Sequence, residues 1–181
     1  MVTTYANPDG RFDELFAGRG VPRAHWSRLY STLARATADE IGAMRVAAER
    51  QIRESGVTYN VYADPKGHDR PWDLDVLPFI IDSQEWQGIE AGIAQRATLL
   101  NRILGDLYGP QLTMREGLIP PPLVFSHAGF LRPAHGAAVP GDVHLHVYAA
   151  DLARSPDGRW WVMNDRTQAV SGAGYALENR L

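Results

Sequence analysis

The stretch Ala150-Asp151-Leu152-Ala153-Arg154-Ser155-Pro156-Asp157-Gly158-Arg159-Trp160-Trp161-Val162 reads as two extended runs folded back on a tight turn. The runs are Val143–Arg154 and Arg159–Asp165, both β-like in pattern. Between them, Pro156 pre-sets the first turn position, Asp157 suits the second, and Gly158 accepts the left-handed conformation that follows. This chemistry predicts a type I turn with a glycine bulge, a three-residue loop. The resulting register pairs Ser155 with Arg159, Asp151 with Met163 and Ala149 with Asp165. Asp151 and Asp165 then share one face as diagonal neighbours, ~7–8 Å apart at the backbone. A two-residue loop would instead set Asn164 beside Asp151 and turn Asp165 away.

Upstream of the hairpin the periodicity is mostly helical. Trp26, Leu29, Tyr30 and Leu33 predict a helix within 23–36. Thr37 and Glu40 form a capping-box pattern that opens a second helix, with Ile41, Met44, Ala48 and Ile52 as its stripe and Gly56 as its stop. Residues 1–20 read as a Gly-rich loop with at most a helical turn at Phe12–Phe16. Val57–Ala63 alternates like a strand, 64–71 is a turn-rich run, and Val76–Ile81 suits a buried strand. Asp82 and Glu85 then cap a long helix to Leu107, ended by Gly109-Pro110. Its stripe places Trp86, Ile93, Leu100 and Leu104 in the core. Pro120–Pro122 break the chain before the short apolar run Leu123–Phe125, and 133–142 is a Pro/Gly/Ala loop.

Composition narrows the function classes. A chain of 181 residues with 45% hydrophobic and 22% charged residues is built to bury a core. The net charge is −3, with no basic run to hold a nucleic acid by charge. No apolar stretch approaches the ~18 residues of a membrane span, and the first ten residues lack a signal-peptide pattern. The absence of cysteine removes disulfides, thiolate metal sites and a cysteine nucleophile. A cytoplasmic protein with no nucleic-acid or membrane partner is the expectation.

Two carboxylates on one sheet face suit Mg²⁺, which takes one or two carboxylates and fills its shell with water and phosphate oxygens. Asp151 and Asp165 are the candidates. Arg154 and Arg166 flank them, able to grip a phosphate or carboxylate in a bidentate fork, or equally to form salt bridges with Asp151, Asp157 or Asp165. Gly172-x-Gly174 offers a backbone nest for phosphate. It is no dinucleotide fingerprint, since position 177 is leucine and no helix is foreseen after it. His144 and His146 face the same way on a strand, but two ligands at that spacing more simply pack as structural histidines.

Further motifs carry a family resemblance. Ala150 through Val162, then Asp165-Arg166-Thr167-Gln168-Ala169 and Ser171-Gly172-Ala173-Gly174-Tyr175-Ala176-Leu177-Glu178-Asn179-Arg180, resemble the circularly permuted ATP-grasp proteins of bacteria. So do Gly56-Val57-Thr58-Tyr59-Asn60-Val61-Tyr62, Arg70-Pro71-Trp72, Leu74-Asp75, and the helix from Gln95-Arg96 to Leu107-Tyr108-Gly109-Pro110-Gln111. The resemblance covers about residues 10–181. These proteins are similar to glutathionylspermidine synthetase, which implies joining of a carboxylate to an amine through an acyl phosphate, with ATP and Mg²⁺ as cofactors. In such relatives an Asp on one strand and a Glu-x-Asn pair on the next hold the metal. Asp151 matches the Asp, Asp165 falls at the Asn position, and Met163 stands where the Glu would be. Glu178 or Asn179 offers a substitute ligand. Val170 stands where the family usually has proline.

The resulting expectation is an α+β chain: a helical N-terminal lobe over 1–55, then a partial circularly permuted ATP-grasp domain over 56–181. That domain combines a mixed sheet, a long packed helix and a C-terminal hairpin. Nucleotide and a small-molecule or peptide substrate are the partners of a longer parent. The nucleotide-lobe lysines of the family lie downstream, since Lys66, the sole lysine, matches none of them. The isolated chain is therefore expected to be inactive. The alternative is a non-catalytic relative that binds a ligand or partner, a reading that Met163 supports.

Overall fold

A computed structural model of the chain describes residues 10–18, 20–56, 58–59, 70–71 and 73–180. Helices and small antiparallel sheets make an α+β architecture. By its internal contacts the chain divides into two compact units. The first comprises 1–82, 155–159 and 171–181, and the second 83–154 and 160–170.

In the first unit, β1 (Phe16–Gly18) and β2 (Val21–Pro22) form a short hairpin where a loop was expected. The Asp13 carboxylate accepts from the backbone N–H groups of Leu15 and Phe16, and Arg23 donates from Nε to the Asp13 carbonyl at 2.8 Å. These local bonds organise a segment whose composition alone reads as irregular. Helix α1 (Ser27–Leu33) follows a single 3₁₀ turn, and α2 spans Ala38–Glu54. The capping box at its start is present in full: Glu40 N–H donates to Thr37 Oγ1, and Thr37 N–H donates to Glu40 Oε2. The Thr37 N–H, and after it the Thr37 hydroxyl, donate to the Glu40 carboxylate and hold its carboxyl below its ordinary pKa. Phe16, Trp26 and Ile52 are buried here, with Tyr30 edge-on to Phe16.

Strands β3 (Thr58–Tyr59) and β4 (Arg70–Pro71) pair antiparallel. Most of the expected strand over 57–63 and turn run over 64–71 lies outside the described residues. Val76–Ile81 is not a strand: it runs as bend and coil, with Leu77 and Phe79 exposed. The six-residue helix α6 (Ala173–Glu178) starts after Gly172, in a place where no helix was foreseen.

The second unit opens with α3 (Ser83–Leu107), at the bounds its periodicity predicts. Asp106 near its end accepts from the N–H groups of Leu112 and Thr113 and from the Thr113 hydroxyl. That carboxylate, held below its ordinary pKa chiefly by Thr113, seeds the short helix α4 (Leu112–Arg115). Helix α5 (Pro121–Phe125) begins on the proline run read as a breaker, because proline is compatible with a first helical turn. Tyr108 stacks on Phe130, and Phe125 meets Phe130 edge-on. Asn101 fastens the next segment to α3: its amide donates to the Asp142 carbonyl and its oxygen accepts from His144 and Leu145 N–H. The first half of the expected strand 143–154 is consequently irregular, and β5 covers only Ala149–Arg154, paired with β6 (Trp160–Arg166). All described strand pairs are antiparallel, so the expected mixed sheet is not among the described residues. No helix among them is long and apolar enough to cross a membrane.

The α3 stripe departs from expectation. Ile93, Leu100 and Leu104 are half-buried and Trp86 is 52% exposed, so Trp86 is not a core residue here.

Gly158 is the turn position where only glycine fits. Its φ is +84°, and a Cβ there would stand 2.7 Å from the Phe12 ring. Gly158→Ala is expected to lower stability by at least about 1–2 kcal/mol from the left-handed backbone alone. Gly174→Ala, in open space within α6, should be neutral or stabilising by up to ~1 kcal/mol. Urea unfolding of the two variants side by side measures the contrast.

Candidate functional site

The Ser155–Arg159 turn forms as its residues predict. Gly158 N–H donates to the Ser155 carbonyl, and Ser155 N–H to the Arg159 carbonyl, both at 2.9 Å. Asp157 is held to a pKa of about 2, first by the Ser155 hydroxyl and then by the Arg159 backbone and guanidinium. From the turn outward, Arg154 faces Trp160, Ala153 faces Trp161 and Leu152 faces Val162.

Then the register slips. Asp151 pairs with Asn164, Ala150 with Asp165 and Ala149 with Arg166. Met163 is the extra residue, a β-bulge that leaves its side chain 68% exposed. The expected sharing of one face by Asp151 and Asp165 is therefore overturned, although the turn itself is as expected. Slipping one residue in a period-two strand moves every later side chain to the other face.

Two sites result. On the outward face, Arg166 donates to Asp151 through Nε at 3.1 and 3.0 Å and through Nη2 at 2.8 Å. Asn164 Nδ2 adds a contact to Asp151 at 3.4 Å. Arg166, then Asn164, hold the Asp151 carboxyl below its ordinary pKa. On the face toward α3, Asp165 receives two bonds of 2.6 Å from Arg96 and one of 2.5 Å from the Tyr148 hydroxyl. Arg96 and then Tyr148 hold Asp165 at a pKa of about 2. Tyr148 is raised, first by burial and then by Asp165.

Arg154 turns to α3. Its guanidinium pairs with Glu85 in the first turn of α3, one bond measuring 2.8 Å, and lies 4.2 Å from the centre of the Trp160 ring. Between α3 and the hairpin lies a cavity of about 820 Å³, lined in part by Gly88, Ile89, Gly92, Ile93, Leu152 and Val162. Missing side chains at Gly88 and Gly92 help to keep it open.

The remaining candidates lie elsewhere. Gly172 (φ +111°) caps α6, and Gly174, Glu178 and Asn179 follow in the same segment, all within the first unit. His144 packs its ring against the backbone of Gly105, as a structural histidine does. Among the described residues no group of three or more His, Cys, Asp and Glu is placed to hold a metal ion. Sequence reasoning missed Arg96 and Tyr148 as partners of Asp165. Nothing local marks a helix arginine 69 positions upstream as a partner; the motif that begins at Gln95-Arg96 was the available signal.

Known proteins share these motifs. The family described as circularly permuted ATP-grasp type 2 matches residues 78–181. An uncharacterized protein of Mycobacterium tuberculosis is 38% identical over 96% of this chain and 20% of its own length. One from Synechocystis is 36% identical over 96% of this chain and 36% of its own. One from Mycobacterium leprae is 37% identical over 93% of this chain and 29% of its own. The chain belongs to the circularly permuted ATP-grasp family, and it spans about a fifth to a third of the length of these relatives.

The Arg96–Asp165–Tyr148 cluster sets a pH dependence. Asp165 has a folded pKa of about 2, below the ordinary value of ~3.9. The stabilisation is therefore present above ~4 and lost as pH falls toward 2. Asp165→Asn should have a lower melting temperature than the unmodified chain at pH 7, with the gap closing between pH 4 and 2. Thermal unfolding across that range checks it; a gap independent of pH would remove the ionic contribution.

Proposed function

We propose that this chain is part of an ATP- and Mg²⁺-dependent enzyme that joins a carboxylate to an amine, a peptide-like ligation through an acyl phosphate. The observation that carries the reading is the outward hairpin face of a permuted ATP-grasp chain, where Asp151 and the side-chain amide of Asn164 stand directly opposite each other. The donor chemistry fits Mg²⁺ in part. One carboxylate and one amide oxygen are hard ligands, and Mg²⁺ completes its octahedron with water and phosphate oxygens. Asn164 now turns its N–H₂ to Asp151; rotating the amide by half a turn presents its oxygen instead.

Asp151 and Asn164 would hold the cation, which supplies charge neutralisation on the phosphates when bound. Asp165, committed to Arg96 and Tyr148, would fix the strand behind that face. Gly172 and Gly174 would offer backbone N–H groups to phosphate, and Glu178 or Asn179 a further ligand. The lysines and adenine pocket that give affinity for nucleotide would come from polypeptide such as the longer relatives possess. ATP would then phosphorylate the donor carboxylate, and the amine would displace phosphate.

The second reading is a non-catalytic relative that binds a ligand or partner. One observation favours it: Met163, at the position of the family's Glu ligand, is a bulged thioether side chain pointing to solvent. Turnover separates the two.

A full-length protein carrying this chain should release ADP from ATP in the presence of Mg²⁺ with a suitable acid and amine. Asp151→Asn should lower that rate by at least about 100-fold, the scale of losing one group that stabilises transition-state charge. The 181-residue chain alone should bind Mg·ATP no tighter than about millimolar. ADP release and titration calorimetry are the readouts. Micromolar binding by the chain alone, abolished in Asp151→Asn, would show a complete nucleotide site within these residues. Folded full-length protein without turnover would favour the binding module.

A further inference from the structure

Asp151 already has a cationic partner. Arg166 meets both of its oxygens within 3.1 Å, while the two side chains remain 57% and 44% exposed. Asn164 completes the set from the same face. Arg166 lies two residues beyond Asn164 on β6, so both project to one side of the strand. A guanidinium offers the same planar fork to a carboxylate and to a phosphate, and it is the side chain best suited to pass from one to the other. Because Arg166 is exposed, such a move needs only rotation about its side-chain bonds.

We propose that Arg166 is an exchange residue. It closes over Asp151 while the face is unliganded, and it gives up Asp151 for a phosphate oxygen when phosphate and divalent cation bind together. The inference rests on the metal reading of Asp151 above and assigns Arg166 a positioning role within it. A fixed guanidinium beside Asp151 opposes a bare cation by repulsion and by occupying its ligand. The same guanidinium favours a cation that brings anionic oxygens. Arg166 thus couples the binding of metal to the binding of phosphate, and its two effects have opposite sign. An arginine that merely braced the hairpin would shift both in one direction or neither.

Mn²⁺ serves as the probe, alone and with inorganic tripolyphosphate, followed by the electron paramagnetic resonance of free Mn²⁺ and by paramagnetic broadening of the Asn164 side-chain amide. Arg166→Gln should bind bare Mn²⁺ about two- to fivefold tighter than the unmodified chain and Mn²⁺–tripolyphosphate about two- to fivefold weaker, the scale of one exposed charge pair. Arg166→Lys, which keeps the charge without the fork, should fall between. Arg159→Gln, whose guanidinium pairs with Asp157 in the turn, should change neither affinity. Shifts of the same sign, or none, in Arg166→Gln overturn the exchange; should the glutamine variant fold poorly, the same shifts in Arg166→Lys decide it. If Asp151→Asn leaves the Asn164 broadening intact, the metal reading itself falls. If Asp151→Asn abolishes it while Arg166→Gln shows no reversal, only the exchange falls.

Discussion

The extra residue in β6 decides how the hairpin meets α3. Two ion pairs join them, Arg154 with Glu85 and Asp165 with Arg96. From Glu85 to Arg96 a helix advances ~16 Å, at about 1.5 Å per residue. From Trp160, opposite Arg154, to Asp165 a strand advances ~16–17 Å, at about 3.3 Å per residue. The spacings match, but in an unbroken strand Asp165 would point away from α3, since five steps of a period-two strand end on the opposite face. The bulge at Met163 supplies the missing half-period. It turns Asp165 toward α3 and, by the same step, places Asn164 and Arg166 beside Asp151.

The two carboxylates that look equivalent in the sequence become chemically different. Asp165 is half-buried and receives three short bonds, two from Arg96 on α3 and one from the part-buried Tyr148 hydroxyl. Asp151 is held by a more exposed arginine whose loss water can compensate. A scaffold pair and an exchangeable pair thus stand one strand position apart. This asymmetry supports assigning ligand chemistry to Asp151 and architecture to Asp165.

Much of the helical framework was legible in the sequence because its signals are local. The Thr37/Glu40 box fixes the start of α2, the apolar period and Gly109-Pro110 bound α3, and Pro156-Asp157-Gly158 dictates the turn. The bulge was not legible, since no residue type obliges Met163 to leave the ladder; the register is set by where Asp165 finds Arg96 and Tyr148. Val76–Ile81 has the composition of a buried strand but no described strand to pair with, and an apolar run gains nothing from extension unless something covers it. Trp86 shows the same limit: periodicity identifies a stripe, not the surface that will meet it. The turn residues located the hairpin, yet the shared face expected for Asp151 and Asp165 does not form, because one unpaired residue changes which side chain faces Asp151.

The contact of Phe12 with Gly158 has a consequence in time. A ribosome adds about 5–20 residues per second, so Phe12 emerges roughly 7–30 s before the glycine against which its ring will rest. Throughout that interval its ring, with the Arg23 guanidinium stacked on it, lacks the turn it meets in the finished chain. Most of the second unit, residues 83–154, is meanwhile synthesised between Phe12 and Gly158. A contact within the first unit thus waits on a turn made only after most of the second.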